Sequence, residues 1–296
     1  MDKTMLLIVN PAAGRSAYKT YFAEALQLLA RAGYRIDLCY TTRRGDASDY
    51  AARFAGDYEL VACIGGDGTL SEVISGLLKL DSPPPLGYFP MGTSNDVATT
   101  LGLPKNNMLE AVKRMLAGTP HPYDVGLFGD EEHFAYIAAF GAFTEVSYAT
   151  QQDQNNVLGH LAYVLQGMAS LPSIESYHTR VEYDGGVFEG DLVYGSMSNS
   201  TSVAGIVKFR ENMVSLSDGL SELVLVKDPG ALDALAGLAG SVLTQRFDSD
   251  KLLIMHTRQA RFTFDRPVSW TRDGEAGGAH RELLLQNIHA PVQLIF

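Results

Sequence analysis

The chain has 296 residues and a formal net charge of −11, and 46% of its residues are hydrophobic. The excess of acidic residues argues against binding to nucleic acid and against strong adhesion to anionic lipid, because both carry negative charge. No segment approaches the ~20 consecutive apolar residues that cross a bilayer. The first apolar run, residues 5–9, is too short for a signal peptide, so we expect a cytoplasmic protein.

Short apolar runs alternate with amphipathic windows up to about residue 120, a pattern typical of parallel strands connected by helices. The predicted strands are residues 5–9, 35–40, 60–64 and 86–89. The predicted helices are residues 18–32, 70–80 and 108–116. We therefore predict a three-layer α/β domain over residues 1–122.

The first predicted strand is followed by the segment Asn10, Pro11, Ala12, Ala13 and Gly14. Strand termination alone would use the same residues, since proline blocks further pairing and glycine permits a tight turn. The segment also lies at the carboxyl end of a parallel strand, where open α/β sheets bind ligands. That position favours one wall of a nucleotide site.

A glycine-rich loop connects the third predicted strand to the next helix. Its residues are Gly65, Gly66, Asp67, Gly68 and Thr69. Glycines allow backbone N–H groups to approach phosphate oxygens, and the following helix directs its positive end to the same place. Asp67 would repel a phosphate unless a divalent cation, most simply Mg²⁺, lay between them. The alternative is a simple strand-to-helix turn in which Asp67 caps the helix.

A second loop of this kind follows the strand at residues 86–89. It contains Gly92, Thr93, Ser94, Asn95 and Asp96. Helix capping could explain the last three residues, but it does not explain the preceding pair of glycine and threonine. Two such loops at consecutive strand ends face a common crevice, which favours nucleotide binding over two unrelated turns.

After residue 122 the pattern changes to many short alternating segments separated by turn signals. The predicted strands include residues 178–183, 186–194, 221–226 and 261–264, and two helical windows lie at 157–170 and 231–245. We predict a second, β-rich antiparallel domain over residues 123–296. The sequence leaves open whether the last strand, 292–296, stays in this domain or returns to the first.

Two acidic turns in this half are candidate sites. Asp273 and Glu275 flank Gly274, and from the residues alone a simple acid-rich turn is the better explanation. Asp218 and Gly219 are typical of a type I′ hairpin.

In this order, the motifs resemble the diacylglycerol kinase catalytic domain family, which includes soluble bacterial lipid kinases and is related to the sphingosine kinases. The motifs are NPAAG at 10–14, GGDGT at 65–69, PMGTSND at 90–96, YDVG at 123–126, SDGL at 217–220 and DGE at 273–275. The GGDGT motif alone also resembles NAD kinases and phosphofructokinases. The resemblance implies a nucleotide domain like those of NAD kinase and diacylglycerol kinase, followed by a sandwich-like domain that binds the acceptor.

The resemblance implies transfer of the ATP γ-phosphate to a primary hydroxyl of diacylglycerol or a similar lipid, with Mg²⁺ as cofactor. It adds Thr41, Leu70 and Ser71 to the ATP contacts; without it, Thr41 is an ordinary loop residue. It assigns Glu275 as general base and Asp273 as its partner or as a metal-linked carboxylate. It also implies a structural Mg²⁺ with Ser215, Asp218 and Leu220 as ligands.

The chain departs from the family pattern in two places. The arginine common after the second loop is absent at 97–100, and the glycine-rich stretch expected after Asn199 reads STSVAG. Both departures weaken the case for diacylglycerol as the acceptor. Two alternatives stay open, an NAD kinase-like enzyme, which shares the GGDGT motif, and a lipid-binding regulator without turnover. The expected partners are a lipid alcohol and, transiently, the membrane surface. No nucleic acid is expected, and a homodimer is compatible with the sequence.

Overall fold

The computed structural model describes residues 3–93, 95–141, 175–199, 202–203, 207–208, 216–228, 230 and 250–296. The predicted helical windows at 157–170 and 231–245 lie outside these residues, as do Ser94 and Ser215. The chain forms two compact units, one of residues 1–125 with 289–296 and the other of residues 126–288. Within the described residues, no helix has the length and apolar character needed to span a membrane.

The first unit is built on parallel strands. They are β1 (Lys3–Val9), β2 (Tyr34–Tyr40), β3 (Leu60–Gly65) and β4 (Leu86–Pro90). β1 lies between β2 and β3, and β4 pairs with the other side of β3. Every residue of β3 and β4 is buried, as expected for the interior strands of a parallel sheet. The predicted strands are confirmed to within two residues at either end.

Five α-helices connect or follow these strands. They are α1 (Phe22–Arg31), α2 (Asp46–Phe54), α3 (Asp67–Leu77), α4 (Asp96–Thr100) and α5 (Met108–Ala117). Two 3₁₀ segments, Ala13–Tyr21 and Ala55–Asp57, precede α1 and follow α2. α1 and α5 pack on the face of β1 that carries Met5, Leu7 and Val9.

Helix α2 was not predicted, and α1 begins four residues later than the predicted helix. The buried residues of α2 include Ala47 and Ala51, whose small side chains give a weak apolar pattern. The beginning of the predicted first helix adopts 3₁₀ geometry instead, up to Tyr21.

The second unit is predominantly antiparallel. Its strands are β5 (Pro120–Phe128), β6 (Glu132–Phe134), β7 (Ile137–Gly141), β8 (Tyr177–Tyr183), β9 (Gly186–Ser198), β10 (Ser202–Val203), β11 (Val207–Lys208), β12 (Ser221–Lys227), β13 (Leu252–Thr257), β14 (Gln259–Arg272) and β15 (Glu275–Ile295). The first six residues of β5 belong to the first unit. The main strand order is β13-β12-β9-β7-β14-β15, and β8 pairs with both β9 and β14. The four strands predicted here fall within β8, β9, β12 and β14.

Aromatic side chains dominate the core of the second unit. Phe140 lies 4.9 Å from both Phe264 and Trp270 between ring centroids, and Phe262 lies 5.0 Å from Trp270. Such edge-on and tilted pairs contribute about 0.5–1.5 kcal/mol each beyond the area they bury. These residues come from β7 and β14, so the core fixes the strand that leads into the turn at Asp273.

The end of β15 belongs to the first unit. Leu294 and Ile295 pair in parallel with Leu86 and Gly87 of β4. Val292 and Leu294 are each 1% exposed. The strand that the sequence left open therefore adds a fifth parallel strand to the first unit. The three-layer and sandwich-like descriptions of the two domains stay predictions, as does the boundary at residue 122.

Candidate active site

The two glycine-containing loops of the first unit touch through their backbones. β3 ends at Gly65, α3 begins at Asp67, and the Met91 N–H donates to the Gly65 carbonyl at 2.7 Å. A Cβ atom on Gly66 would come within 3.2 Å of the Gly92 Cα. A Cβ on Gly92 would collide with the Gly66 Cα. Glycine is therefore required at position 92 and favoured at position 66, and this close approach brings the two predicted phosphate loops together.

Asn95 fixes the shape of the second loop. Its side-chain oxygen accepts from the Gly92 N–H at 2.9 Å, and its amide donates to the Gly92 carbonyl at 2.9 Å. The Tyr88 hydroxyl donates to the same oxygen at 3.3 Å. Asn95 is 1% exposed and has φ of 51°, a left-handed conformation that asparagine tolerates better than most residues. Its described contacts are therefore those of a residue that holds the loop.

The carboxylate of Asp67 connects the first loop to the second. Its oxygens accept from the Asp96 N–H at 2.8 Å and the Val97 N–H at 3.2 Å, at the beginning of α4. Burial and the charge of Asp67 raise the pKa of Tyr88 well above its ordinary value. Asp67 is 7% exposed, so its negative charge is held by backbone N–H groups inside the loop pair. A role for Asp67 in binding Mg²⁺ stays a prediction.

The segment after β1 is tied to the glycine-rich helix. The Asn10 amide donates to the Thr69 hydroxyl at 2.9 Å, and the Asn10 oxygen accepts from the Ala12 N–H at 3.0 Å. Gly14 has φ of 50°, which glycine adopts readily. The structure therefore joins two of the predicted nucleotide segments by a direct side-chain contact.

The loop around Thr41 is held by two carboxylates that no sequence motif had indicated. Asp46 accepts from the N–H groups of Thr42 and Arg43 at 2.7 and 3.0 Å and from the Thr42 hydroxyl at 2.8 Å. These bonds lower the pKa of the Asp46 carboxyl below its ordinary value. Glu72 of α3 accepts from the Gly45 N–H at 2.9 Å. Asp46 lies in the first turn of α2, where acidic residues are favoured, and that position is the signal that could have indicated this residue.

Other predicted nucleotide contacts differ in accessibility. Leu70 is fully buried, and Thr41 is 9% exposed, with its N–H donating to the Val9 carbonyl at 2.9 Å. Thr93 is exposed, Ser71 is half-buried, and Gly68 lies in the first turn of α3. Their contacts with ATP stay predictions.

The turn at Asp273 and Gly274 is a two-residue hairpin loop between β14 and β15. Arg272 and Glu275 are paired across it. Asp273 has φ of 48° and Gly274 has φ of 81°, the combination that defines a type I′ turn. The Asp273 carboxylate accepts from three consecutive N–H groups, those of Ala135, Tyr136 and Ile137, at 2.6, 3.1 and 3.0 Å. Glu275 is half-buried.

The turn at Asp218 is not of type I′. Gly219 has φ of 77°, but Asp218 is not among the described residues with positive φ. The Asp218 carboxylate accepts from the Leu220 N–H at 2.9 Å, a local bond that shapes the turn. The type I′ assignment of Asp218 and Gly219 was therefore wrong, because a type I′ turn needs positive φ at both positions. The structural Mg²⁺ with Ser215, Asp218 and Leu220 stays a prediction.

Within the part of the chain that the structure describes, no three His, Cys, Asp or Glu residues form a group that could hold a metal ion. The glycine-rich loop leads directly into α3, and the N-terminus of a helix is suited to phosphate groups because its backbone N–H groups point outward. Mg²⁺ commonly binds through one or two carboxylates together with substrate phosphates rather than in an all-protein cage. The residues present therefore fit a cation that arrives with a nucleotide.

Residues 4–128 match the diacylglycerol kinase catalytic domain family. A curated relative from Bacillus subtilis (strain 168), named diacylglycerol kinase, is 32% identical over 278 residues, covering 93% of this chain and 91% of the relative. A diacylglycerol kinase from Staphylococcus carnosus (strain TM300) is 32% identical over 94% of this chain and 90% of its own. A solved chain from Bacillus anthracis str. Sterne, assigned as a diacylglycerol kinase, has a TM-score of 0.83 and 27% identity, covering 100% of this chain and 97% of its own.

The chain belongs to the diacylglycerol kinase family. It is an enzyme of the lipid kinase class. The resemblance inferred from the motifs is confirmed.

Proposed function

We propose that the enzyme transfers the γ-phosphate of ATP to a primary hydroxyl of diacylglycerol or a similar lipid, giving phosphatidic acid or an analogue, in a reaction that depends on Mg²⁺. The observation that carries the nucleotide part is the contact between Gly66 and Gly92 at the carboxyl ends of two adjacent parallel strands. Bare backbone at this point of an α/β sheet is suited to phosphate groups.

The first unit supplies the nucleotide contacts in this proposal. The N-terminus of α3 faces the phosphates, and the Asn10 and Thr41 segments form the walls. Asp67 keeps the two loops together through the Asp96 and Val97 N–H groups. When bound with the phosphates, Mg²⁺ neutralises negative charge that develops during transfer.

Glu275 serves as the general base. Its carboxylate orients the acceptor hydroxyl and takes its proton as the oxygen attacks the γ-phosphorus, while the bond from that phosphorus to the bridging oxygen of ADP breaks. Its side chain is half-buried and lies at the first residue of β15, directly after the hairpin loop. The matching names of the curated relatives support diacylglycerol as the acceptor class.

An ATP-consumption assay tests this function. Purified enzyme with ATP and Mg²⁺ is given diacylglycerol, other lipid alcohols in mixed micelles, or NAD. Turnover with a lipid alcohol and not with NAD is expected. Turnover with NAD alone would replace the proposal with a NAD kinase-like activity, and absence of turnover with every acceptor would support a regulator without catalysis.

The variant Glu275→Gln tests the assigned base. The amide keeps the size of the side chain but cannot take the hydroxyl proton, so we expect kcat to fall by about 10²- to 10⁴-fold with nearly unchanged ATP affinity. Wild-type kcat in this variant would remove Glu275 from the mechanism.

The proposed setting is the cytoplasm, with transient contact to the membrane that contains the acceptor. The net charge of −11 opposes general attraction to anionic lipid. Co-sedimentation with vesicles should therefore depend on acceptor lipid and not on anionic lipid content.

A homodimer is compatible with this setting and is tested by light scattering of the purified enzyme.

A further inference from the structure

The strongest unassigned arrangement is the set of bonds around Asp273. Its carboxylate accepts from the Ala135, Tyr136 and Ile137 N–H groups, and its own N–H donates to the Ile137 carbonyl at 2.9 Å. Asp273 is 7% exposed. Four hydrogen bonds therefore attach one residue of the hairpin loop to the beginning of β7.

These bonds occupy the oxygens that a cation would need. An ionised carboxylate offers about four lone-pair positions, and at least three of them face N–H groups here. Mg²⁺ requires near-ideal octahedral geometry at about 2.1 Å from its oxygen ligands. Direct coordination by Asp273 would have to share the two carboxylate oxygens with hydrogen bonds that fix the turn.

The same bonds determine where Glu275 lies. Asp273 and Gly274 form the whole loop, so Glu275 begins β15 directly after them. The positive φ values of 48° and 81° allow few residue types in the two positions. A turn attached to β7 in this way leaves the backbone of Glu275 little freedom to shift.

We infer that Asp273 is a positioning residue that acts through Glu275, and not a metal ligand or a second proton acceptor. The inference rests on the proposed role of Glu275 as general base. It replaces the sequence-based expectation that Asp273 is a partner base or a metal-linked carboxylate. A misplacement of about 1 Å at a reacting group can reduce the rate by about 10²-fold, so positioning is a sufficient role.

The test is a double-mutant cycle with Asp273→Asn and Glu275→Gln. Asparagine tolerates the left-handed φ but places an NH₂ group against a backbone N–H, which disturbs the attachment. We expect kcat with the lipid acceptor to fall by about 10²-fold, with KM for ATP and the Mg²⁺ concentration for half-maximal activity unchanged. In the Glu275→Gln background, Asp273→Asn should reduce kcat no further.

Asp184→Asn is the matched control. Asp184 and Gly185 form another two-residue loop in the same unit, between the paired residues Tyr183 and Gly186. The Asp184 carboxylate also accepts a backbone bond, from the Arg258 N–H at 2.7 Å. This variant should lower the melting temperature and leave kcat unchanged.

Gly274→Ala provides a second route if Asp273→Asn does not fold. An alanine Cβ has open space at this position, but φ of 81° strains any L-residue. This variant disturbs the turn but keeps the Asp273 carboxylate. If the turn positions Glu275, kcat should fall while KM for ATP stays unchanged. An unchanged kcat would argue against a positioning role.

Three results separate the possible failures. A tenfold increase in the Mg²⁺ requirement of Asp273→Asn would overturn the inference in favour of metal binding. If the two losses of kcat multiply in the double variant, Asp273 does not act through Glu275, and the role of Glu275 as base is unaffected. Normal turnover of Glu275→Gln would instead overturn the proposed base, and the inference with it.

Discussion

Buried aspartates at two turns hold neighbouring backbone in place. Asp67 accepts from N–H groups at positions 96 and 97, and Asp273 accepts from N–H groups at positions 135–137. In both cases a charge-assisted bond connects segments that are distant in sequence. The motifs in the sequence indicated both carboxylates as candidate site residues. They could not indicate the hydrogen-bond partners, because every residue except proline has a backbone N–H.

Gly92→Ala tests the contact between the phosphate loops. The added methyl group would collide with the Gly66 Cα and lie 2.7 Å from the Asn95 side-chain oxygen. We expect ATP affinity, measured by titration calorimetry, to fall by at least about tenfold, equivalent to about 1.4 kcal/mol. Gly56→Ala is the control, since no atom lies within 4 Å of the position that a methyl group would take there. Unchanged ATP affinity in Gly92→Ala would show that phosphates bind elsewhere.

Asp46→Asn tests the bonds that hold the loop after Thr41. Because folding lowers the pKa of Asp46, its ionised form stabilises the folded state above the ordinary pKa of about 4, and this contribution is lost as pH falls below that value. Asp46→Asn should therefore lower the urea midpoint at pH 7, and its difference from wild type should shrink near pH 3. Exposed Asp81→Asn controls for the loss of one negative charge. A difference that stays constant with pH would contradict this account.

At the scale of elements, the strands were predictable and the helix boundaries less so. The apolar runs of β1, β3 and β4 are buried throughout or nearly so, which makes their pattern strong. Helix α2 was missed because its buried positions include alanines, and its N-terminus is fixed by Glu72 from another helix. The type I′ turn was assigned to Asp218 rather than Asp273, since both sites carry the same Asp-Gly pair and only backbone geometry distinguishes them.

Gly76→Ala tests the crossing of α2 and α3. The added methyl group would collide with the Ser48 carbonyl oxygen and lie 2.7 Å from the Ala51 Cβ. Overpacking costs about 1–3 kcal/mol, which exceeds the gain of about 1 kcal/mol from replacing glycine in a helix. We expect a net loss of up to about 2 kcal/mol in unfolding free energy, measured in urea. A gain in stability would mean that the helices separate easily, and Gly56→Ala again serves as control.

At the scale of the whole molecule, the first unit combines two segments that are distant in sequence. Asp124, which is fully buried, accepts from the Ala290 N–H at 2.7 Å and lies 3.0 Å from the His289 Nδ1. Residues 292–295 then place β15 beside β4. The sequence could not settle this return, because the apolar run at 292–296 suits either unit equally well.

Truncation after Ile288 tests the need for this segment. The truncated chain loses two buried apolar side chains and leaves the Asp124 carboxylate without the Ala290 N–H, a combination expected to cost several kcal/mol. We expect loss of ATP binding and rapid proteolysis of residues 1–125. Ala290→Gly is the opposing control: it relieves φ of 49° and should raise stability by up to about 1 kcal/mol. ATP binding of normal affinity by the truncated chain would contradict this prediction.

The return of β15 also sets an order of events during synthesis. The ribosome makes residues 1–125 first, but the strand that completes their sheet follows only after all of residues 126–288. At about 5–20 residues per second, the first unit waits roughly 10–30 s for its last strand. Throughout that interval the edge of β4 that pairs with β15 is unpaired, and another strand could pair with it wrongly. The second unit, by contrast, is made as one uninterrupted segment. The sheet of the first unit is therefore complete only after the whole second unit has been made.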